Sequence, residues 1–259
     1  MLRRIWRLGR LVWSLATHTA YLSVAARWRP PVERVAYRAY RQQVGCALIC
    51  RILNVRVTLR GAPIPTQPML YVCNHLGVLD PFILASQTPV AFAAKSEIRS
   101  WPFLGWVCRE MGLLFVERER PTKTSAFVRQ LEDKLAHGVS VVVYPEGTTS
   151  RGDIVRPFKT GAFEAVAGDA DGAILPFYLQ IRAVNGDPAR REEATWADDT
   201  QAFVEHGWHL CGLKSIEVDL VVGEPIPTAG HDRKELAKRT HKAVVQMHDE
   251  ALGEQVSTA

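Results

Sequence analysis

Two hydrophobic rhythms divide the chain. From the N-terminus to about Leu53 apolar and basic residues recur at helical spacing. Arg3, Arg7, Arg10, Ser14 and Thr17 fall along one stripe, with Ile5, Leu8, Val12, Leu15 and Leu22 near the opposite side. After Pro30-Pro31 a second helix is expected from Val32 to Leu53, with Arg34, Arg38 and Arg41 on one side and Ala47-Leu48-Ile49 near its end. The apolar run Leu11 to Ala26 is shorter than the ~20 residues a spanning helix needs, and Ser14, Thr17, His18, Thr19 and Ser23 interrupt it. Ala25-Ala26 runs straight into Arg27-Trp28-Arg29, which is no signal-cleavage pattern. Trp6, Trp13, Tyr21 and Trp28 favour a lipid–water boundary. The expectation is a pair of amphipathic helices lying on, or dipping into, a cytoplasmic leaflet; ordinary surface helices packed on the core are the alternative.

From Val55 the rhythm changes to short apolar runs alternating with helical stretches. Strands are expected at Val55 to Leu59, Met69 to Cys73, Val90 to Ala94, Leu113 to Val116, Val139 to Tyr144, Ile174 to Ile181 and Ile216 to Val222. Helices are expected at Pro81 to Ser86, Ser125 to His137, Ala162 to Ala167 and Arg233 to Leu252. Several strands are apolar on both faces, which predicts an α/β fold with a mostly parallel or mixed sheet flanked by helices. The division expected is an N-terminal membrane-associated pair of helices over residues 1–54, then one domain over 55–259. Functional loops in such sheets gather at the carboxyl ends of strands, where His75 and Glu146 both fall.

Composition adds limits. Of 259 residues, 47% are hydrophobic, so the chain folds rather than remaining disordered. The net charge of +5 suits an anionic partner such as an acidic membrane surface, a phosphate-bearing substrate or an acidic carrier protein. Cys46, Cys50, Cys73, Cys108 and Cys211 contain no CxxC pair and read as free thiols. His206-x-x-His209 has metal-like spacing, but no carboxylate or thiol pair accompanies it, and no metal site is expected. There is no P-loop or dinucleotide glycine signature, and no basic pattern of a nucleic-acid fold.

The candidate chemistry lies in Asn74-His75-Leu76-Gly77-Val78-Leu79-Asp80. Acyl transfer to an alcohol needs a base for the hydroxyl proton and a group that orients that base. Gly77 lets the chain turn back so that the Asp80 carboxylate reaches the His75 imidazole. Before Pro81, Asp80 also suits a helix N-cap, and the spacing alone leaves both readings open. Likewise Glu146 serves equally as a carboxylate bonding backbone amides or as a substrate contact. Arg118 suits a phosphate or carboxylate, but taken by itself reads first as a surface arginine in the alternating run Glu117-Arg118-Glu119-Arg120.

The ordered set resembles the four blocks of the lysophosphatidic acid acyltransferase family: Asn74-His75 to Asp80, Gly112 to Arg118, Tyr144-Pro145-Glu146-Gly147-Thr148, and Leu175-Pro176. Lys95-Ser96-Glu97-Ile98 and Phe158-Lys159-x-Gly161 are similar to that family's intervening segments. The resemblance covers roughly Met69 to Ile181. It implies transfer of a fatty acyl group from acyl-CoA or acyl-carrier protein, with no further cofactor, to the hydroxyl of a lysolipid. His75 would be the base and Asp80 its orienting partner. Asn74, Lys95, Arg118, Glu146, Gly147, Thr148, Thr149, Arg151 and Lys159 would lie around the acceptor. Where the family's third block commonly has an arginine, this chain has Thr149, and the nearest guanidinium is Arg151. A hydroxyl does not replace a bidentate cation. Thr-Thr at this place is similar to the lyso-ornithine lipid branch, so the acceptor stays open between a phosphate-bearing lysolipid and an aminolipid. The expected location is the cytoplasmic face of a membrane, with no nucleic-acid partner and the oligomeric state open. A thioester hydrolase and a non-catalytic lipid-binding protein are the rivals. The absence of Gly-x-Ser-x-Gly opposes a serine hydrolase, and the intact His75/Asp80 pair opposes a non-catalytic role.

Overall fold

The computed structural model describes residues 1–116, 124–197 and 202–258. Two helices, α1 (Leu2–Arg27) and α2 (Pro31–Leu53), precede β1 (Val55–Gly61). There follow β2 (Leu70–Cys73), α3 (Asp80–Gln87), β3 (Val90–Lys95), α4 (Pro102–Glu110), β4 (Leu114–Val116), α5 (Thr124–Ala136) and β5 (Ser140–Val143). The chain continues through β6 (Ala173–Val184), α6 (Phe203–Gly212), β7 (Ile216–Val222), β8 (Ile226–Pro227) and α7 (Arg233–Thr258). Short 3-10 helices occupy Ser96–Ser100, Gly161–Val166 and Pro188–Ala194.

Among the described residues the strands form one mixed sheet in the order β1-β7-β6-β2-β5-β3-β4, with β8 beside β6. Pairs β2–β6, β2–β5, β5–β3, β3–β4 and β1–β7 are parallel; β6–β7 and β6–β8 are antiparallel. The expected α/β class with a mixed sheet is the observed one. Alternation explains why these strands are apolar throughout. Tyr71, Cys73 and Val142 face a core shared with α2, α3 and α6, while Leu70, Val72, Val141 and Val143 face one shared with α5 and α7. Both faces are covered, as parallel strands require.

Two helices escaped the sequence pattern. At α4, Pro102 at the first helical position was an available start signal. In α6, Gly207 in mid-helix obscured the period. The stretch expected as a helix at Ala162 to Ala167 is a 3-10 helix, and β6 runs past Ile181 to Val184 through a register shift.

The N-terminal helices are packed differently from a simple arginine-out arrangement. Arg7 is buried and donates to the carbonyls of Leu213 and, at 3.3 Å, Lys214; Arg3 donates to Gly212 O at 3.0 Å. These carbonyls lie at the end of α6, where unpaired C=O groups and the helix dipole attract cations. With those arginines turned inward, Leu2, Ile5, Trp6, Leu8, Val12 and Trp13 are exposed. No described helix is long and apolar enough to cross a membrane.

Candidate active site

Strands β2, β5, β3 and β4 run parallel, so their carboxyl ends share one edge. His75 follows β2 there and Glu146 follows β5. The Asn74 side chain fixes the exit from β2, donating to Leu179 O at 3.0 Å and accepting from Leu179 N at 2.7 Å. It is buried against β6 and committed to backbone.

Past Asn74 the chain turns back on itself. One carboxylate oxygen of Asp80 lies 2.7 Å from His75 Nδ1 and accepts the amides of Leu76 and Gly77 at 2.6 and 2.9 Å. Asp80 opens α3, yet its side chain caps no amide of that helix. The carboxylate therefore organises the turn and the imidazole together. With Nδ1–H donated to Asp80, Nε2 is the nitrogen left for a substrate proton. The ring stacks on Tyr144, with centroids 4.4 Å apart and planes at 23°. Both His75 and Asp80 are buried.

The backbone of His75 is held from the neighbouring loop. Its amide donates to Glu146 Oε1 at 2.9 Å, and Arg156 N donates to Oε2 at 3.2 Å. Its carbonyl accepts from Ser150 N at 2.9 Å. Glu146 is thus occupied on both oxygens by backbone amides, the structural alternative raised by the sequence. Burial pushes its carboxyl up to about 7, against the opposing pull of those two amides. Gly147 sits at φ +74° beneath the Lys159 side chain, and an added Cβ would lie 2.5 Å from Lys159 Nζ.

The remaining candidates scatter around this centre. Thr148 is half-buried. Thr149 donates its hydroxyl to Trp196 O, so the residue at the resemblance's arginine position fastens backbone here. Arg151 is exposed and lies 3.4 Å from Glu192. Lys95 is exposed at the end of β3, separated from β2 by β5. Arg118 lies outside the described residues.

Tyr144, Ser150 and Trp196 also belong to the site, though the sequence singled out none of their contacts. Trp196 N donates to Leu76 O at 2.8 Å, and a Cβ on Gly77 would approach Trp196 N to 3.1 Å. The indole stacks on His206 at 5.8 Å and 12°. Burial, with the nearby His209, pushes His206 down to about 4. Among the described residues no group of three or more His, Cys, Asp or Glu side chains could hold a metal ion. The five cysteines are buried free thiols.

Comparison with known proteins agrees with this arrangement. The family model described as Acyltransferase matches residues 56–180, which span the histidine turn and the Glu146 loop. A Pseudomonas aeruginosa protein named lyso-ornithine lipid O-acyltransferase is 34% identical, over 76% of this chain and 74% of that one. A Rhodobacter capsulatus protein of the same name is 38% identical, over 84% and 75%. A Neisseria meningitidis protein named 1-acyl-sn-glycerol-3-phosphate acyltransferase is 34% identical, over 62% and 63%. The crystal structure of a 1-acyl-sn-glycerophosphate acyltransferase from Thermotoga maritima superposes with a TM-score of 0.64, covering 96% of this chain and 97% of that one at 20% identity, so the two share a fold. From the histidine turn, the block order and these relatives together, the chain belongs to the lysophosphatidic acid acyltransferase family.

Proposed function

We propose that this protein transfers a fatty acyl group from an acyl thioester, acyl-CoA or acyl-carrier protein, to the hydroxyl of a lysolipid. The observation that carries the reading is the His75–Asp80 pair, with Nδ1 held by a buried carboxylate. His75 Nε2 takes the proton of the acceptor hydroxyl as its oxygen attacks the thioester carbonyl. The tetrahedral intermediate collapses, the C–S bond breaks, and the imidazolium returns the proton to the departing thiolate. Asp80 fixes the tautomer and stabilises the imidazolium. Glu146 positions the His75 backbone, while Gly147 and Thr148 shape the adjoining loop. Lys159, Arg151 and Lys95 are cations near this edge offered to the acceptor or donor, and Arg118, outside the described residues, joins them on the resemblance alone.

Thiol release from acyl-CoA, followed with and without a panel of lysolipids, tests the reading. Acceptor-dependent release that His75→Ala abolishes supports it. Acceptor-independent release means a hydrolase, and no release or lipid product means a binding protein.

The same reading has residues 1–54 dock the 55–259 domain on the cytoplasmic face of a membrane, without spanning it. The exposed apolar row Ile5, Leu8, Val12 and Trp13 on α1 supports this, with Arg3 and Arg7 already used against the end of α6.

A further inference from the structure

The three arginines expected on one side of α2 find different surroundings. Arg34 donates to the carbonyls of Arg29 at 2.9 Å and Arg27 at 3.4 Å, and Arg41 lies over the Tyr21 ring and 3.2 Å from His18 Nδ1. Arg38, between them in sequence, reaches the turn that enters β4 and the end of α5. A Cβ placed on Gly112 would lie 3.4 Å from Arg38 Cδ and 3.7 Å from Lys134 Nζ, so the two cationic side chains meet over one glycine. Gly112 holds φ +71° there and carries no side chain that could separate or neutralise them.

Neither cation has a counter-ion. Arg38 Nε is buried without a hydrogen-bond partner, and neither Arg38 nor Lys134 has an ion pair among the described residues. Burial pushes the Lys134 ammonium down; Asp133 opposes this and Arg38 adds to it. The Asp133 carboxylate lies 3.4 Å from His137 Nδ1. Like charges so placed repel, and a buried N–H without an acceptor carries its desolvation cost. An anion seated between them removes both penalties. A carboxylate would leave one positive charge over. A phosphomonoester carries about −1.5 to −2 charges and three acceptor oxygens, which match one guanidinium and one ammonium.

The seat is at the amino end of the sheet. Gly112 precedes β4, and Lys134 O accepts from Val139 N just before β5. His75 and Glu146 instead follow the carboxyl ends of β2 and β5. We propose that Arg38 and Lys134, meeting over Gly112, form a phosphate-binding site apart from the catalytic edge. It takes a phosphomonoester, free in solution or carried on a lipid headgroup. The site ties α2 to α5 and does not depend on the acyl-transfer reading.

The test compares the melting temperature of the full chain in inorganic phosphate and in chloride at equal ionic strength. The wild type should gain at least about 3 °C in saturating phosphate. Phosphate also stabilises folded proteins generally by exclusion from their surface, so the control is Arg38→Met with Lys134→Met, which should gain clearly less. In chloride this double variant should melt no lower than the wild type, because it removes a repulsion. Lys134→Glu, which gives Arg38 an internal carboxylate, should also lose the phosphate gain and keep the fold. Sedimentation with phosphatidylcholine vesicles containing phosphatidate or phosphatidylglycerol, at matched surface charge, separates the two sources. Weaker sedimentation of Lys134→Glu than of the wild type, confined to phosphatidate, assigns the site to a lipid headgroup. A phosphate gain specific to the wild type without that difference assigns it to a soluble phosphomonoester. Equal phosphate gains in all three proteins, with no difference confined to phosphatidate, overturn the proposal.

Discussion

The imidazole of His75 lies almost flat on the ring of Tyr144, with 4.4 Å between centroids. The Tyr144 hydroxyl is buried and has no hydrogen-bond partner, so the ring rather than the oxygen supports the histidine. Tyr144→Phe should therefore keep kcat within about twofold and leave or raise the melting temperature, since a buried unsatisfied hydroxyl costs about 1–3 kcal/mol. Tyr144→Leu, which removes the flat surface, should lower kcat roughly tenfold or more, because an unsupported base loses its alignment. Steady-state kinetics and melting curves on both variants check this.

Asp80 serves three donors at once, and its substitutions should separate two roles. Asp80→Asn keeps an oxygen for the turn but offers His75 no charge, so kcat should fall about 10²–10⁴-fold with a native-like melting curve. Asp80→Ala should also destabilise the fold, because the Leu76 and Gly77 amides lose their acceptor at about 1–3 kcal/mol each. Equal activity of His75→Ala and wild type would sink the base assignment.

Gly77 and Gly147 should respond differently to alanine. At Gly77 the obstacle is backbone, Trp196 N, so the substitution should open the Leu76–Trp196 bond and reduce activity more than stability. At Gly147 the flexible Lys159 end can move aside, but φ +74° remains unfavourable, with a stability loss of about 1 kcal/mol. Urea titrations paired with turnover measurements distinguish the two.

Glu146 predicts a pH dependence of stability. Unfolded, its carboxyl ionises near 4.5; folded, it holds its proton up to about 7. Between those values the native state binds more protons, so this group's contribution is full below about 4.5 and is lost as pH rises through 7. The urea midpoint of the wild type should fall between pH 5 and 7.5 relative to that of Glu146→Gln, which cannot titrate.

On α1, Trp13→Asp and Ile5→Asp should weaken sedimentation with anionic vesicles while leaving the melting curve unchanged, because both side chains are exposed. Arg7→Ala should do the reverse: it strips the carbonyls of Leu213 and Lys214 of their donor and lowers stability by about 1–3 kcal/mol. Unchanged vesicle binding in both aspartate variants would remove the docking role of this face.

Much of the fold was legible because burial and backbone geometry write themselves into local pattern. The valines of β5 and the alternating faces of β2 announced strands covered on both sides. The histidine turn was legible because Gly77 and the return of Asp80 are local in sequence. The contacts of Trp196 were not, since they join it to Leu76 and to the hydroxyl of Thr149, 47 residues away, through its own N–H and C=O, which any residue possesses. Side-chain identity carries no record of such bonds. The same limit applies to α1, where its helical period was plain but the inward direction of Arg3 and Arg7 depends on where α6 ends.

The pairing of β1 with β7 sets a schedule for the chain's birth. Asn54 donates to Lys214 O across 160 residues, and Val55 sits opposite Ile216 just beyond. At synthesis rates of about 5–20 residues per second, the edge formed by β1 waits roughly 8–30 s for its neighbour to emerge. During that interval α1 and α2 are already outside the ribosome, without the α6 carbonyls that Arg3 and Arg7 later engage. The arginines of α1 thus stay without their carbonyl partners until β7 is about to close the sheet, and the packing of the first helix is among the last contacts the chain can make.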